Sequence, residues 1–454
     1  MNKKLIALAV AGAIAPTVAL ADDSTTVMYG LLNVEFDRTS ATGPTDPGIL
    51  AAYSQGTAAR VFESRQRVST PLGLIGFRGT EKLGKELNAF WQIESGIDID
   101  NARPPNGTGT QNGIIGSRNT GVGLTGSFGT VIAGTWDTPY KVATVKVDPW
   151  SGNAGMHGVL HGNSSSTNDA QQNRQMFDVR LRNTVQYWTP TFFGGLSGRI
   201  AYGANEQLSD YNNNCPAGLI AAANGSGGCY QPNGYRQDPS TWSAGVNFEN
   251  GPIYLGAGYE RHNNYNPNQQ SSKDDGWKVG GTFTFPFGLK LGGIYEQITY
   301  RGLAGQTIKG FAFPVASVAG ALPCPSAYCA FGTPDFGNAA LHVNSFGLIA
   351  VQTIGQHQIR ATYAANTSVK VNGDGQSMKA RAFNLGYAYL LSKRTEVYVR
   401  YNRIINQDLS GNVYGGGTGL NVATPSGQAL TGTTLGPTLG SDLTQVALGI
   451  KTVF

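Results

Sequence analysis

The sequence predicts an all-β fold, a 16-stranded antiparallel transmembrane β-barrel. Three observations predict it. Segments of about ten residues alternate apolar and polar side chains with period two, the pattern of strands with two different faces. Short turns alternate strictly with long loops rich in Gly, Asn and Ser, which a closed membrane barrel produces and a two-sheet sandwich does not. The composition is also unusual: 63 of 454 residues are Gly, only 13% are charged and 40% are hydrophobic. In a membrane barrel only every second strand residue meets lipid, so bulk hydropathy stays low. Beyond the N-terminus no helix-length apolar run occurs. The nearest candidate, 311–331, contains Pro314, Pro323 and Pro325 and reads as a loop.

Residues 1–21 read as a secretory signal peptide. Lys3 and Lys4 precede an Ala-rich apolar run, and Ala19-Leu20-Ala21 supplies the small-x-small cleavage pattern. The barrel is then expected over 22–454. Losing Lys3 and Lys4 lowers the formal charge from +5 to +3, too slight a balance to favour nucleic acid.

The strands follow in order. The first, Val27 to Asp37, puts Leu32, Val34 and Phe36 on one face and Asn33, Glu35 and Asp37 on the other. The second runs from Val68 to Thr80. The third, Leu87 to Ile97, turns Leu87, Ala89, Trp91 and Ile93 outward and Asn88, Phe90, Gln92 and Glu94 inward. Arg118–Thr125 and Thr130–Trp136 form a hairpin about Gly126-Ser127-Phe128-Gly129. From Asp137 to Asp178 the alternation stops for about forty residues. Loops of that length are usually functional or disordered.

Alternation resumes at Val179, with Val179, Leu181, Val185 and Tyr187 opposite in face to Arg180, Arg182, Thr184 and Gln186, and a strand returns through Tyr202. Paired strands follow at 242–248 with 253–259, 278–285 with 289–300, 343–353 with 358–365, and 381–389 with 395–404. Leu443 to Phe454 is the sixteenth, and an even count lets the first and last strands pair so that no edge stays open in lipid. Aromatic residues near strand ends, such as Tyr29, Trp188, Tyr259, Phe285, Tyr389 and Tyr401, suit interfacial girdles. A sandwich core would also hold aromatics, but here the second face carries Arg, Glu, Gln and Asn.

Several stretches resemble the general trimeric porins of Gram-negative outer membranes, most nearly those of beta-proteobacteria. They are Val27–Leu31, Gly76–Glu94, Ser117–Tyr140, Arg182–Gly195, Leu391–Thr395 and the strand ending in Phe454. The resemblance implies a homotrimer in the outer membrane, in contact with lipid and lipopolysaccharide, with long loops extracellular and short turns and both termini periplasmic. It also implies passive diffusion of ions and small hydrophilic solutes, and a third loop folded inward to form a constriction. In that constriction a basic wall would include Arg118 and Arg182; period two independently turns Arg180 and Arg182 inward, and Arg78 shares the inward parity of its strand, toward the periplasmic end. The loop would contribute Asp148, in Asp148-Pro149-Trp150, together with Lys146 and Lys141. Glu35, Gln92 and Glu94 are further lumen-facing residues. Leu74 and Thr135 stand where the family often has arginine, and Arg65 or Arg67 is the candidate to compensate. An excess of basic groups implies a mild anion preference. The alternative for any one wall arginine is a structural pair with Glu35, Asp37 or Glu94.

The four cysteines, Cys215 and Cys229 in one loop and Cys324 and Cys329 in another, are candidates for disulfides in an exported chain, with pairing within each loop the simplest of three connectivities. His157 and His161 have helical i, i+4 spacing without a third ligand, so no metal and no cofactor is expected. No Ser/His/Asp set or nucleotide fingerprint occurs, which argues against an enzyme. The rival functions are a substrate-specific channel, which an aromatic slide in the lumen would favour and to which Phe90, Trp188 and Trp150 could contribute without forming an evident series, and an adhesin acting through the loops at 302–341 and 406–440.

Overall fold

The computed structural model describes residues 24–42, 62–97, 99, 115–150, 160, 177–204, 220–221, 229–230, 239–264, 273–301, 340–367, 369–371, 374–376, 379–407 and 442–454. Residues 1–23, where the signal peptide is expected, and Cys215, Cys324, Cys329, His157 and His161 lie outside them, and Cys229 is described only through its backbone pairing with Ala221.

Sixteen strands form the barrel. They are β1 (Thr25–Ala41), β2 (Phe62–Lys82), β3 (Leu87–Gly96), β4 (Thr120–Gly126), β5 (Gly129–Asp137), β6 (Arg180–Trp188), β7 (Leu196–Ala204) and β8 (Ser240–Asn250), then β9 (Ile253–Asn263), β10 (Lys273–Thr284), β11 (Leu289–Arg301), β12 (Ala340–Ile354), β13 (His357–Asn366), β14 (Ala380–Leu390), β15 (Thr395–Asn406) and β16 (Leu443–Val453). Each pairs antiparallel with the next, and β1 pairs with β16 from Leu31↔Val453 to Ala41↔Leu443, which closes the sheet. A short hairpin, Val369–Val371 with Asp374–Gln376, joins the same sheet at the start of β12. Every barrel strand overlaps a segment expected from period two, mostly with one to several residues added at the long-loop end, where the sequence loses alternation before the backbone stops pairing.

The two faces differ as period two requires. Phe36, Val122, Ile200, Val246, Leu255, Leu348, Leu385 and Leu448 stand exposed on the outside. Asn33, Glu35, Asp37, Thr184, Gln186, Ser243, Glu260, Arg400 and Asn402 are buried on the inside. This inversion of a soluble protein's pattern is what a wall between lipid and a polar interior demands.

Three register shifts interrupt the alternation, one of them between Thr39↔Arg65 and Ala41↔Phe62 at the long-loop end of β1 and β2. On β2, Thr70 and Pro71 stand opposite the single residue Val34, between the pairs Asn33↔Leu72 and Glu35↔Ser69. Proline has no N–H for the ladder, so the bulge is where it fits. On β6, Arg182 and Asn183 stand opposite Thr135, between Gly134↔Thr184 and Trp136↔Leu181, and Asn183 takes φ 50°. The strict alternation read from the sequence therefore fails here: Leu181 is buried with Thr184 and Gln186, and Arg182 is exposed.

Candidate functional site

Beyond β5 the chain turns back over the inner face. Thr138 caps a single helical turn, α1 (Pro139–Val142), its hydroxyl accepting from the Lys141 N–H at 3.2 Å. The segment up to Trp150 then lies against inward residues of strands far away in sequence. The Tyr140 N–H donates to Ser243 Oγ on β8 at 3.0 Å, and the Tyr140 hydroxyl to Glu296 on β11 at 2.8 Å. Burial, and then the Glu296 carboxylate, push that hydroxyl well above the usual phenol range. Val147 belongs to one apolar cluster with Tyr254, Ile294 and Ile349. Trp150 reaches Tyr398 on β15, with ring centroids 6.4 Å apart, and the Arg360 guanidinium lies 5.2 Å from its ring.

Glycines make the seat. A Cβ at Gly245 would stand 2.6 Å from the Pro139 carbonyl oxygen, one at Gly256 would overlap the Ala143 oxygen, and one at Gly258 would be 2.9 Å from Tyr140 Cα. At Gly276 a Cβ would meet the Phe177 ring at 2.7 Å, and at Gly386 it would overlap Trp150. Backbone can approach a strand this closely only where the strand has no side chain.

Charged groups on this interior form compact pairs. At the root of the segment Asp137 binds Arg180 at 3.1 Å and Lys141 at 3.1 Å, and accepts from Asn119 at 3.0 Å. Arg180 Nε also donates to Asn119 at 2.7 Å, and the Gln92 amide to the Asn119 carbonyl at 3.0 Å. Next to them Arg118 binds Glu94 at 2.6 Å, and Tyr29 donates to the same carboxylate at 3.0 Å while the Arg78 guanidinium lies 5.3 Å from its ring. Around the closure of the sheet Glu35 binds Arg400 at 2.6 Å, and Glu396 binds Arg360 at 2.5 Å and Lys451 at 2.7 Å. Under the segment, Lys278 binds Asp178 at 2.6 Å.

Of the residues singled out from sequence, the structure thus brings together Arg118, Arg180, Lys141, Gln92 and Glu94, with Arg78 alongside. It does not place Asp148 there. Asp148 is buried, accepts from the Trp150 N–H at 3.0 Å, and lies within electrostatic range of Lys290. Lys146 is at the rim with Glu249, and Arg182 is exposed on its bulge. Glu35 points inward but is closed off by Arg400. Arg67 binds Asp37 at 2.9 Å. The reading missed Asp137, Asn119, Arg199, Arg360 and Arg400. The last two were legible as inward parity on β13 and β15; Asp137 and Asn119 sit at strand ends, where parity gives no direction.

Phe90, Trp136 and Trp188 form an aromatic cluster, with centroid distances of 6.1, 6.4 and 5.4 Å, and Arg199 covers Trp188 at 4.6 Å. Trp150 is not part of it. Among the described residues no group of three or more His, Cys, Asp or Glu is arranged to hold a metal ion.

The comparisons with known proteins agree with this geometry. A family model described as Gram-negative porin matches residues 7–409. An outer membrane porin protein of Bordetella pertussis is 27% identical over 328 residues, covering 71% of this chain and 74% of that one. The major outer membrane protein P.IB of Neisseria gonorrhoeae is 29% identical over 219 residues, 48% of this chain and 53% of the relative, so the chain spans about half of that protein. An anion-selective porin from Comamonas acidovorans shares the fold, with a TM-score of 0.59 at 20% identity over 95% of this chain and all of that one.

Proposed function

The chain belongs to the Gram-negative porin family, and from that premise we propose that it forms a water-filled outer-membrane channel for ions and small hydrophilic solutes, narrowed by the segment Thr138–Trp150 and mildly selective for anions. Its work on this reading is passage, not catalysis. The assembly proposed is a homotrimer, by kinship with the family.

One observation carries the anion preference: in the four interior pairs with a partly exposed base the base is the more exposed partner, whereas the closed pairs are balanced or, in Arg180–Asp137 and Lys278–Asp178, expose the acid slightly more. Side-chain exposures are 27% for Arg67 against 0% for Asp37, 26% for Arg118 against 9% for Glu94, 24% for Lys141 against 17% for Asp137, and 23% for Lys451 against 7% for Glu396. Arg78 and Arg199 add charge, and neither is in a direct ion pair among the described residues, although Asp137 lies within electrostatic range of Arg199. A solute in the lumen therefore meets guanidinium and ammonium groups ahead of the carboxylates behind them. Two unit charges about 8 Å apart interact by about 0.5 kcal/mol in bulk-like water and by about 2 kcal/mol at an effective dielectric near 20. Energies of that size bias flux several-fold without trapping the ion. The test is the reversal potential across a planar bilayer in a KCl gradient. Chloride preference is the expected result, and clear potassium preference would refute the reading.

A second reading rests on Phe90, Trp136 and Trp188 with Arg199 above them: apolar rings beside a cation suit an anionic organic solute and a saturable channel. Liposome flux distinguishes the two. Rates falling smoothly with solute size favour general diffusion, whereas saturation by one class of organic anion favours the specific channel.

A further inference from the structure

The outside of the barrel has its own pattern, and it is uneven. A belt of rings runs along it: Tyr202 with Trp242 at 4.8 Å, Trp277 with Tyr295 at 5.3 Å, Phe346 with Tyr363 at 5.9 Å and Tyr363 with Phe383 at 5.0 Å. Nearer the long-loop ends stand outward cations. Three are neutralised in place: Arg261 and Arg301 both bind Asp275, at 2.7 and 2.5 Å, and Arg403 binds Asp442 at 3.2 Å. Arg38, which binds Ser64, and Lys273 stand singly without an acidic partner among the described residues. Lys379 and Arg381 differ in standing two residues apart on one strand end. Both are exposed, and among the described residues neither has an acidic partner.

These two residues line a cleft of about 650 Å³, open on one side, whose other walls include His342, Asn344, Phe346 and Tyr363. Its place in the fold is fixed by connectivity. His342 is near the start of β12, Lys379 and Arg381 are at the start of β14, and Gln407, also in the lining, follows β15. All are ends joined by long connections, on the extracellular side. Its direction is fixed by parity: Val343 and Ser345 are buried inward, so His342, Asn344 and Phe346 face out. The cleft therefore opens toward the outer leaflet, cations uppermost and rings below.

We propose that this cleft binds the phosphate-bearing headgroup of an outer-leaflet lipid, with Lys379 and Arg381 on the phosphate and an acyl chain against Phe346 and Tyr363. Charge complementarity selects the anion, since guanidinium and ammonium pair strongly with a multi-oxygen dianion. The aromatic floor selects the amphiphile, because rings at interfacial depth suit a ligand with one wet end and one apolar end.

The test is native mass spectrometry of the full-length folded protein released from micelles doped with bisphosphorylated lipid A or with the same lipid chemically dephosphorylated. Retention of the phosphorylated lipid is expected to exceed that of the dephosphorylated one by about tenfold or more on the unaltered protein, a comparison that needs no variant. A Lys379→Gln/Arg381→Gln variant should lose that preference, whereas Lys393→Gln/Arg394→Gln, the same charge change in a short turn at the opposite end, should keep it. Equal retention of both lipids overturns the proposal. So does displacement by millimolar inorganic phosphate alone, which would mark a site for soluble anions. A change in oligomeric state in the Lys379/Arg381 variant with unchanged lipid retention also overturns it, in favour of a second copy covering the cleft.

Discussion

Glu35 and Arg400 are each 1% exposed and bind at 2.6 Å, although their strands are not neighbours. Between β1 and β15 runs β16, and the residue of β16 opposite both Glu35 and Tyr398 is Gly449. A Cβ there would stand 2.6 Å from the Tyr398 hydroxyl and 2.9 Å from Glu35 Cγ. The missing side chain is what lets the pair meet across an intervening strand. Removing one partner of a buried pair leaves a charge with no compensation, at a cost of about 3–5 kcal/mol. Glu35→Gln should therefore lower stability markedly in thermal unfolding of the detergent-solubilised barrel, and Gly449→Val should do the same without touching either charge. The rim pair Lys146–Glu249, 53% and 56% exposed, is worth at most about 1 kcal/mol, so Lys146→Ala should leave the melting temperature almost unchanged. At the same scale, Arg118→Gln, which removes the more exposed partner of Glu94, should move the reversal potential toward potassium by about two- to fivefold in permeability ratio. A pore indifferent to Arg118 would place selectivity elsewhere. Glu35 and Arg118 were legible in the sequence as non-lipid residues. Their partners were not, because Glu35 meets Arg400 only through barrel closure and Arg118 meets Glu94 only through the register of β3 beside β4.

At the scale of elements, the break in alternation after Asp137 was legible, and so was its consequence that about forty residues must go somewhere other than into lipid. Its seat was not. Gly245, Gly256, Gly258 and Gly276 read in the sequence as weak strand positions, and nothing local marks them as the bed on which Pro139, Tyr140, Ala143 and Phe177 lie. Parity likewise misdirected Arg182, because a bulge at Arg182-Asn183 leaves no apolar or polar signature of its own. The seat yields a prediction. Gly256→Val puts side-chain atoms where the Ala143 carbonyl now lies, and backbone on both sides gives little room to adjust. The strand itself should still form, since valine suits strands. The segment Thr138–Trp150 should then lift off β8–β10, and single-channel recordings should show a larger, noisier conductance with weaker ion selectivity. Normal conductance in Gly256→Val would mean that the segment does not set the width of the pore. Val279→Ala, an outward change on the neighbouring β10, provides the control and should alter neither property.

For the molecule as a whole, closure is the governing constraint. An even number of strands made closure legible, and the structure supplies it as eleven residue pairs between β1 and β16, extended by reciprocal backbone hydrogen bonds between Gly30 and Phe454 at 2.9 and 3.0 Å. The Phe454 ring sits where Gly30 would carry its Cβ, so the two ends of the chain lock face to face. A barrel with one strand missing is not a slightly weaker barrel. Deleting Leu443–Phe454 would leave β1 and β15 each with a row of unpaired N–H and C=O groups, and each such group costs several kcal/mol in hydrocarbon. Those losses exceed the net stability of a folded chain, which is about 5–15 kcal/mol. The truncated chain, refolded in detergent from denaturant, should therefore give no species whose gel mobility changes on heating and little β-sheet circular dichroism. Phe454→Ala keeps the ladder and removes only the ring, so it should fold and merely melt at lower temperature. If the truncated chain instead refolds as well as the intact one, β1 must be able to pair directly with β15, and the sixteen-strand count would be a preference of this sequence, not a requirement of its fold.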